Sequence, residues 1–150
     1  MPRPMTEQER EAFLAEPRVG VLSVASDDGR PPLTVPIWYS YQPGGDITFF
    51  TGTFGQKARK TGLIQRAGAI SFSVQHPEFP YRYITVEGSV LGMDQPPSSD
   101  QILAIVRRYL PEEDAQGFAS SALEQSGPEF VLFTIRPDRW ITSDFSEDGK

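Results

Sequence analysis

Cysteine is absent from this chain, which excludes disulfides, thiolate nucleophiles and Cys-ligated zinc or iron–sulfur centres. Histidine occurs once, as His76, ahead of Pro77 in a stretch that reads as a loop. A Ser-His-Asp triad would have to use that one imidazole, and no nucleophile-elbow pattern accompanies it. No segment approaches the ~20 consecutive apolar residues of a membrane-spanning helix, and residues 1–16 lack a long apolar run. Hydrolase chemistry therefore has little footing here, no membrane span is expected, and the cytoplasm is the expected compartment.

What is present fits one domain, 1–150, large enough to bury about two thirds of its unfolded surface without covalent staples. The formal net charge is -6, and that acidic balance argues against a nucleic-acid partner, which requires an extended basic face. One stretch departs from it. Between Ile47 and Pro77 there is no Asp or Glu, while Lys57, Arg59, Lys60 and Arg66 are all present. The run from Thr51 through Gly52 and Gly55 to Gln56, Lys57, Ala58, Arg59 and Lys60 leaves a strand-like segment, turns at glycines and enters a helix. The first N–H groups of a helix lack intrahelical partners and carry the positive end of its dipole, so a phosphate placed there gains hydrogen bonds and charge together. Two readings are open for this run: an anion site, or a solvated basic helix face.

Helical signals are few. Thr6 with Glu9 forms a capping box that predicts a short helix ending near Pro17. Thr53 with Gln56 repeats the signature at the basic helix. Ser98 with Gln101 opens a third, with Ile102, Ile105, Val106 and Tyr109 spaced on one face. A fourth, from about Pro111, would stack Ala115, Phe118, Ala119 and Ala122 as core packing. Elsewhere the apolar period is two. Strands are expected over Val19–Ser26, Leu33–Tyr41, Ile47–Thr51, Ala69–Gln75, Arg82–Met93 and Phe130–Arg136, the first two joined by a turn at Asp27, Asp28 and Gly29. The fold expected is mainly β (α+β): a six-stranded antiparallel barrel with three to four short helices. Pro36 lies inside a clear strand and cannot donate to a ladder, so the strand is an edge there, or bulged, or faces something other than a strand. Free backbone groups beside Trp38 could then serve a flat, polar-edged ligand.

The order of these segments resembles a known family. A short helix is followed by the hairpin containing Val35, Pro36, Ile37, Trp38 and Tyr39, then Asp46 to Thr51, then Gly55 to Lys60, then Ala69 to Val74 and Tyr81 to Gly88. This is similar to the pyridoxamine-5'-phosphate-oxidase-like split β-barrel family, and within it to the flavin and deazaflavin (F420) dependent oxidoreductases. The resemblance implies that the six-stranded barrel is a split β-barrel with Greek-key topology, and a homodimer whose grooves hold a flavin-type cofactor. Lys57 matches the family's phosphate-binding lysine. Thr51 and Gly52 match the strand end along the phosphate and ribityl chain, and Val35 to Trp38 match the strand along the tricyclic ring. The implied cofactor-binding set is Val35, Pro36, Ile37, Trp38, Thr51, Gly52, Gln56, Lys57, Ala58, Arg59 and Lys60, with no metal and no assigned catalytic residue. Pyridoxamine phosphate oxidases themselves carry an arginine where this chain has Gln56, and an Arg-rich motif on the second strand that is missing here. F420 is thus the implied cofactor and FMN the alternative. The implied function is hydride transfer to a small organic acceptor, with an FMN reductase or a non-catalytic carrier as the rival readings. Trp38, Tyr81 and Trp140 are candidates for an apolar wall, His76 reads as a loop residue, and Glu87 as a solvated or paired carboxylate.

Overall fold

The computed structural model describes residues 2–52, 56–126 and 130–146, with backbone alone at 56, 57 and 122–126. In chain order the elements are α1 (Glu7–Ala15), β1 (Gly20–Val24), β2 (Leu33–Ile37), β3 (Ser40–Tyr41), β4 (Ile47–Gly52), α2 (Gln56–Ala67), β5 (Ala69–His76), β6 (Arg82–Asp94), α3 (Ser99–Val106), α4 (Glu112–Ser126) and β7 (Phe130–Asp144). The capping boxes at Thr6 and Ser98 form as expected, each side chain accepting the backbone N–H three residues on. The box expected at Thr53 lies outside the described residues. No helix among the described residues is long and apolar enough to cross a membrane.

All strand pairs are antiparallel, in the order β2-β1-β5-β6-β7-β4-β3. The two edges, β2 and β3, follow one another in the chain with only Trp38 and Tyr39 between them. One ribbon therefore pairs with β1 through its first half and with β4 through its second, which curls the sheet into a split barrel. This corrects the expected strand count: the described residues form seven strands, because the segment read as one strand divides where it changes partners. Two further boundaries move. β7 continues through Pro137 to Asp144 instead of ending at Arg136. It can do so because β4 pairs with it only as far as Ile135, and the register against β6 slips between Glu87 and Gly88. His76 is the last residue of β5, paired with Arg82, and not a loop residue.

The barrel interior is filled by the inward-facing set, with Leu22, Phe49, Phe72, Ile84 and Phe133 fully buried. Each such side chain contributes about 1.5–3 kcal/mol of burial free energy. Packing there is close: a Cβ added at Gly20 would lie 2.1 Å from the Phe72 ring, so the strand can pass over that ring only without a side chain. Phe13 and Leu14 of α1 join this core. A second, smaller core is formed by Ile102, Leu103, Val106, Ala115 and Ala119 of α3 and α4, and the outward-facing Trp38 and Phe50 pack against it. The helix pair is thereby seated over the ribbon where the sheet divides.

Candidate functional site

The site begins with a register that is not continued. Ser40 faces Thr48 and Tyr41 faces Ile47. Carried back along the ribbon, the same pairing would set Trp38 against Phe50 and Pro36 against Gly52. The strands part instead, and Pro36 offers no N–H that could bridge them. Between them opens a cavity of about 450 Å3, within the range of small-molecule sites. Pro36, Ile37 and Trp38 line one side, with Val19; Phe50, Thr51, Gly52 and Phe130 line the other. Lys60 enters from α2 and Phe118 from α4.

Tyr109, between α3 and α4, replaces the missing ladder at the parting. The Tyr39 N–H donates to its hydroxyl at 3.2 Å, and that hydroxyl donates to the Arg18 carbonyl at 2.8 Å. Its ring lies on Trp38 with centroids 4.8 Å apart and planes within 4°. Burial raises the Tyr109 phenol above its usual range and pushes Tyr39 up to about 12. Both hydroxyls therefore keep their protons near neutrality and act as fixed donors. Tyr39 donates to the Leu14 carbonyl at 3.3 Å.

Thr51 lines the cavity at the end of β4. Period two aligns it with Ile47 and Phe49 on the buried face of β4, and it is only 3% exposed. Its hydroxyl is buried with no hydrogen-bond partner among the described residues. Next to it, the Thr61 hydroxyl donates to the Gly52 carbonyl at 2.7 Å, which fixes the end of β4 to the first turns of α2. A cavity bounded by aromatic side chains, with the ladder-free edge at Pro36 on one side and Lys60 at another, fits a flat ligand with polar edges.

Of the residues expected from the sequence, Pro36, Ile37, Trp38, Thr51, Gly52 and Lys60 line the cavity together. Val35 packs on the core instead, and Ala58 is exposed outside the lining. Arg59 donates to the Ser26 hydroxyl at 2.8 Å and lies 3.9 Å from Asp28. Arg66 is ion-paired with Asp27. The acid-free stretch is thus met in space by the acidic β1–β2 turn, a long-range pairing that reduces its charge surplus. Gln56 and Lys57 are placed as the start of α2, and their side chains lie outside the described residues. Val19, Phe50, Phe118 and Phe130 were not expected as lining. Phe50 had a signal, as the outward-facing aromatic between buried Phe49 and Thr51; Phe118 reads from sequence as helix packing. Lys60 is the sole titratable side chain in the described lining, and His76 is elsewhere, its Nδ1 2.8 Å from the Glu78 carbonyl. The cavity is equipped to bind and orient.

The split barrel recurs in solved structures. An F420 reductase is 25% identical with a TM-score of 0.69, the match covering 87% of this chain and 94% of that one. A conserved hypothetical protein from Mycobacterium tuberculosis is 19% identical with a TM-score of 0.72, over 97% and 89%. An FAD-binding protein from Mesorhizobium loti is 20% identical with a TM-score of 0.62, over 97% and 99%. No curated protein sequence matches the chain. The family model described as pyridoxamine 5'-phosphate oxidase matches residues 6–144, and the chain belongs to that family.

Proposed function

We propose that this protein is an F420-dependent oxidoreductase that binds the deazaflavin between β2 and β4 and reduces a small organic acceptor. The observation that supports it most is the aromatic-walled cavity that opens where β2 parts from β4, with Lys60 entering from α2. The likeness to an F420 reductase over most of both chains adds to it. When bound, such a cofactor supplies the hydride chemistry itself, which suits a lining without an acid–base pair. Pro36 to Trp38 would present a ladder-free edge to the ring, Thr51 a hydroxyl, and Lys57 and Lys60 the cations for phosphate. Phe118 and Phe130 would exclude water. An FMN-binding reductase is the second reading, favoured by the FAD-binding neighbour.

Titration of the purified protein with F420 and with FMN, followed by tryptophan fluorescence at low and high salt, tests the choice. F420 is expected to bind more tightly, with a lead that narrows as salt screens its anionic tail. Because Arg59 and Arg66 are engaged by the β1–β2 turn, their share in that narrowing is expected to be small. Tighter FMN binding at every salt concentration would replace F420 with FMN. Lys57→Ala is expected to weaken binding about 10- to 100-fold, the loss of one charge-assisted hydrogen bond.

The same reading includes a homodimer. Val19 and Val21 are 51% and 40% exposed on β1 and its approach, and Val19 shares the cavity lining with Pro36. An apolar face running into the mouth of an open cavity is suited to a second copy, and two-fold pairing is the commonest closed assembly. Light scattering at micromolar concentration should return the dimer mass; a monomer mass would count against it.

A further inference from the structure

A second cavity, of about 300 Å3, shares no lining residue with the first. It lies between α1, which contributes Glu7 and Arg10, the turn after Tyr41 that carries Asp46, and the stretch of β7 around Trp140. The Arg10 guanidinium lies over the Trp140 ring, 4.7 Å from its centroid. Tyr41 meets the same indole edge-on, with centroids 6.0 Å apart and planes at 83°. Its hydroxyl accepts the Gly44 N–H at 3.3 Å, so the aromatic wall is held by the turn that completes the cavity.

Arg10 is unusual within this arrangement. Among the described residues its Nε is buried without a hydrogen-bond partner and its guanidinium forms no ion pair, although Glu7 and Asp46 line the same space. Arg136, on the other side, is committed to Asp138 at 2.8 Å. A planar fork of donors fixed on an indole, in a cavity also lined by two acidic residues with which it forms no ion pair, leaves room for a molecule that joins the two. Of the charges left uncommitted, one is positive and two are negative. That balance disfavours a phosphate or other dianion and favours a ligand with both signs of charge.

We propose that this cavity is a binding site for a small zwitterion of the amino-acid class, its carboxylate on Arg10, its ammonium toward Asp46 and Glu7, and its side chain on Trp140 and Tyr41. The carboxylate would meet the guanidinium in the paired geometry that arginine favours. The site is independent of the cofactor reading, since none of its residues touches the first cavity.

The indole N–H resonance of Trp140 in ¹⁵N-labelled full-length protein reports the site directly, with Trp38 as the internal reference. Phenylalanine is expected to shift Trp140 saturably and leave Trp38 in place. Phenylalaninamide, which lacks the carboxylate, and phenylacetate, which lacks the ammonium, should each bind about tenfold more weakly. Arg10→Gln should abolish the shift. Asp46→Asn, a change in a partly exposed turn, should weaken phenylalanine and not phenylacetate, so the proposal stays testable if loss of the Arg10 stack unsettles α1. Equal shifts from phenylacetate and phenylalanine, a stronger response to inorganic phosphate, or no Trp140 response to any of these at millimolar concentration would each overturn it.

Discussion

With no hydrogen-bond partner among the described residues, the Thr51 hydroxyl imposes a cost on the fold. Burying a hydroxyl without a partner costs about 1–3 kcal/mol relative to a paired one, and an apolar group of the same shape would remove that penalty. Thr51→Val should therefore raise the melting temperature of the ligand-free protein while weakening cofactor binding about tenfold, the worth of one hydrogen bond. Differential scanning calorimetry and a fluorescence titration on the same preparation measure both quantities. A variant that lost stability together with affinity would make Thr51 an ordinary structural residue. The residue was legible in the sequence through the family resemblance, which matched Thr51 and Gly52 to the strand end along the phosphate and ribityl chain. The fate of Arg59 and Arg66 was not, because their partners Ser26, Asp28 and Asp27 sit on a turn more than thirty positions away in the chain.

At the scale of elements, the parting of β2 from β4 depends on one hydroxyl of the α3–α4 junction. Tyr109→Phe keeps the stack on Trp38 but leaves the Tyr39 N–H and the Arg18 carbonyl without this partner. The expected loss is about 1–3 kcal/mol by denaturant titration, with faster amide exchange at Tyr39 than at Phe72 in the same variant. Equal exchange changes at both positions would mean that the hydroxyl supports the barrel generally and not the parting. Strands, the capping boxes at Thr6 and Ser98 and the α3 core face were legible because such patterns are local properties. The division of the ribbon was hidden for a physical reason. Leu33 to Tyr41 alternates without interruption, and nothing in that alternation records which neighbour each half pairs with. Pro36 alone marked the place where a ladder could not continue. Tyr109 had the spacing of a core residue on α3, so its reach across to Tyr39 was a tertiary fact with no sequence signature.

Across the whole molecule, electrostatics set a window of stability. Glu9 accepts hydrogen bonds from Arg3 and from the Thr6 backbone, which lower its carboxyl from 4.5 to about 2. The Ser89 hydroxyl, with Arg136, lowers Asp138, and Gln116, with Arg107, lowers Glu112. A group depressed in the folded state stabilises it above the unfolded value and loses that contribution as pH falls through the folded one. The acid limb should therefore fall from about pH 4.5 toward pH 2, and Glu9→Gln should flatten it. On the alkaline side the sign reverses. Tyr39 is raised from 10.0 to about 12 by burial, so its contribution is intact below pH 10 and lost as pH rises toward 12. Melting temperatures across both limbs test the assignment, and an acid limb unchanged in Glu9→Gln would refute its part.

The partner change within one ribbon also bears on time. β2 can form early, because its partner β1 lies just before it across a short turn. β3 needs β4, and β4 pairs on its other side with β7, which is made only after α2, β5, β6, α3 and α4. Loop-closure entropy must be met before such distant pairing is rewarded, so the walls of the first cavity should come together late on the folding path. A ligand held between them would then be absent from the folding transition state. Saturating F420 should slow unfolding in a stopped-flow denaturant jump and leave the refolding rate unchanged, lengthening the lifetime of the native state without hastening its arrival.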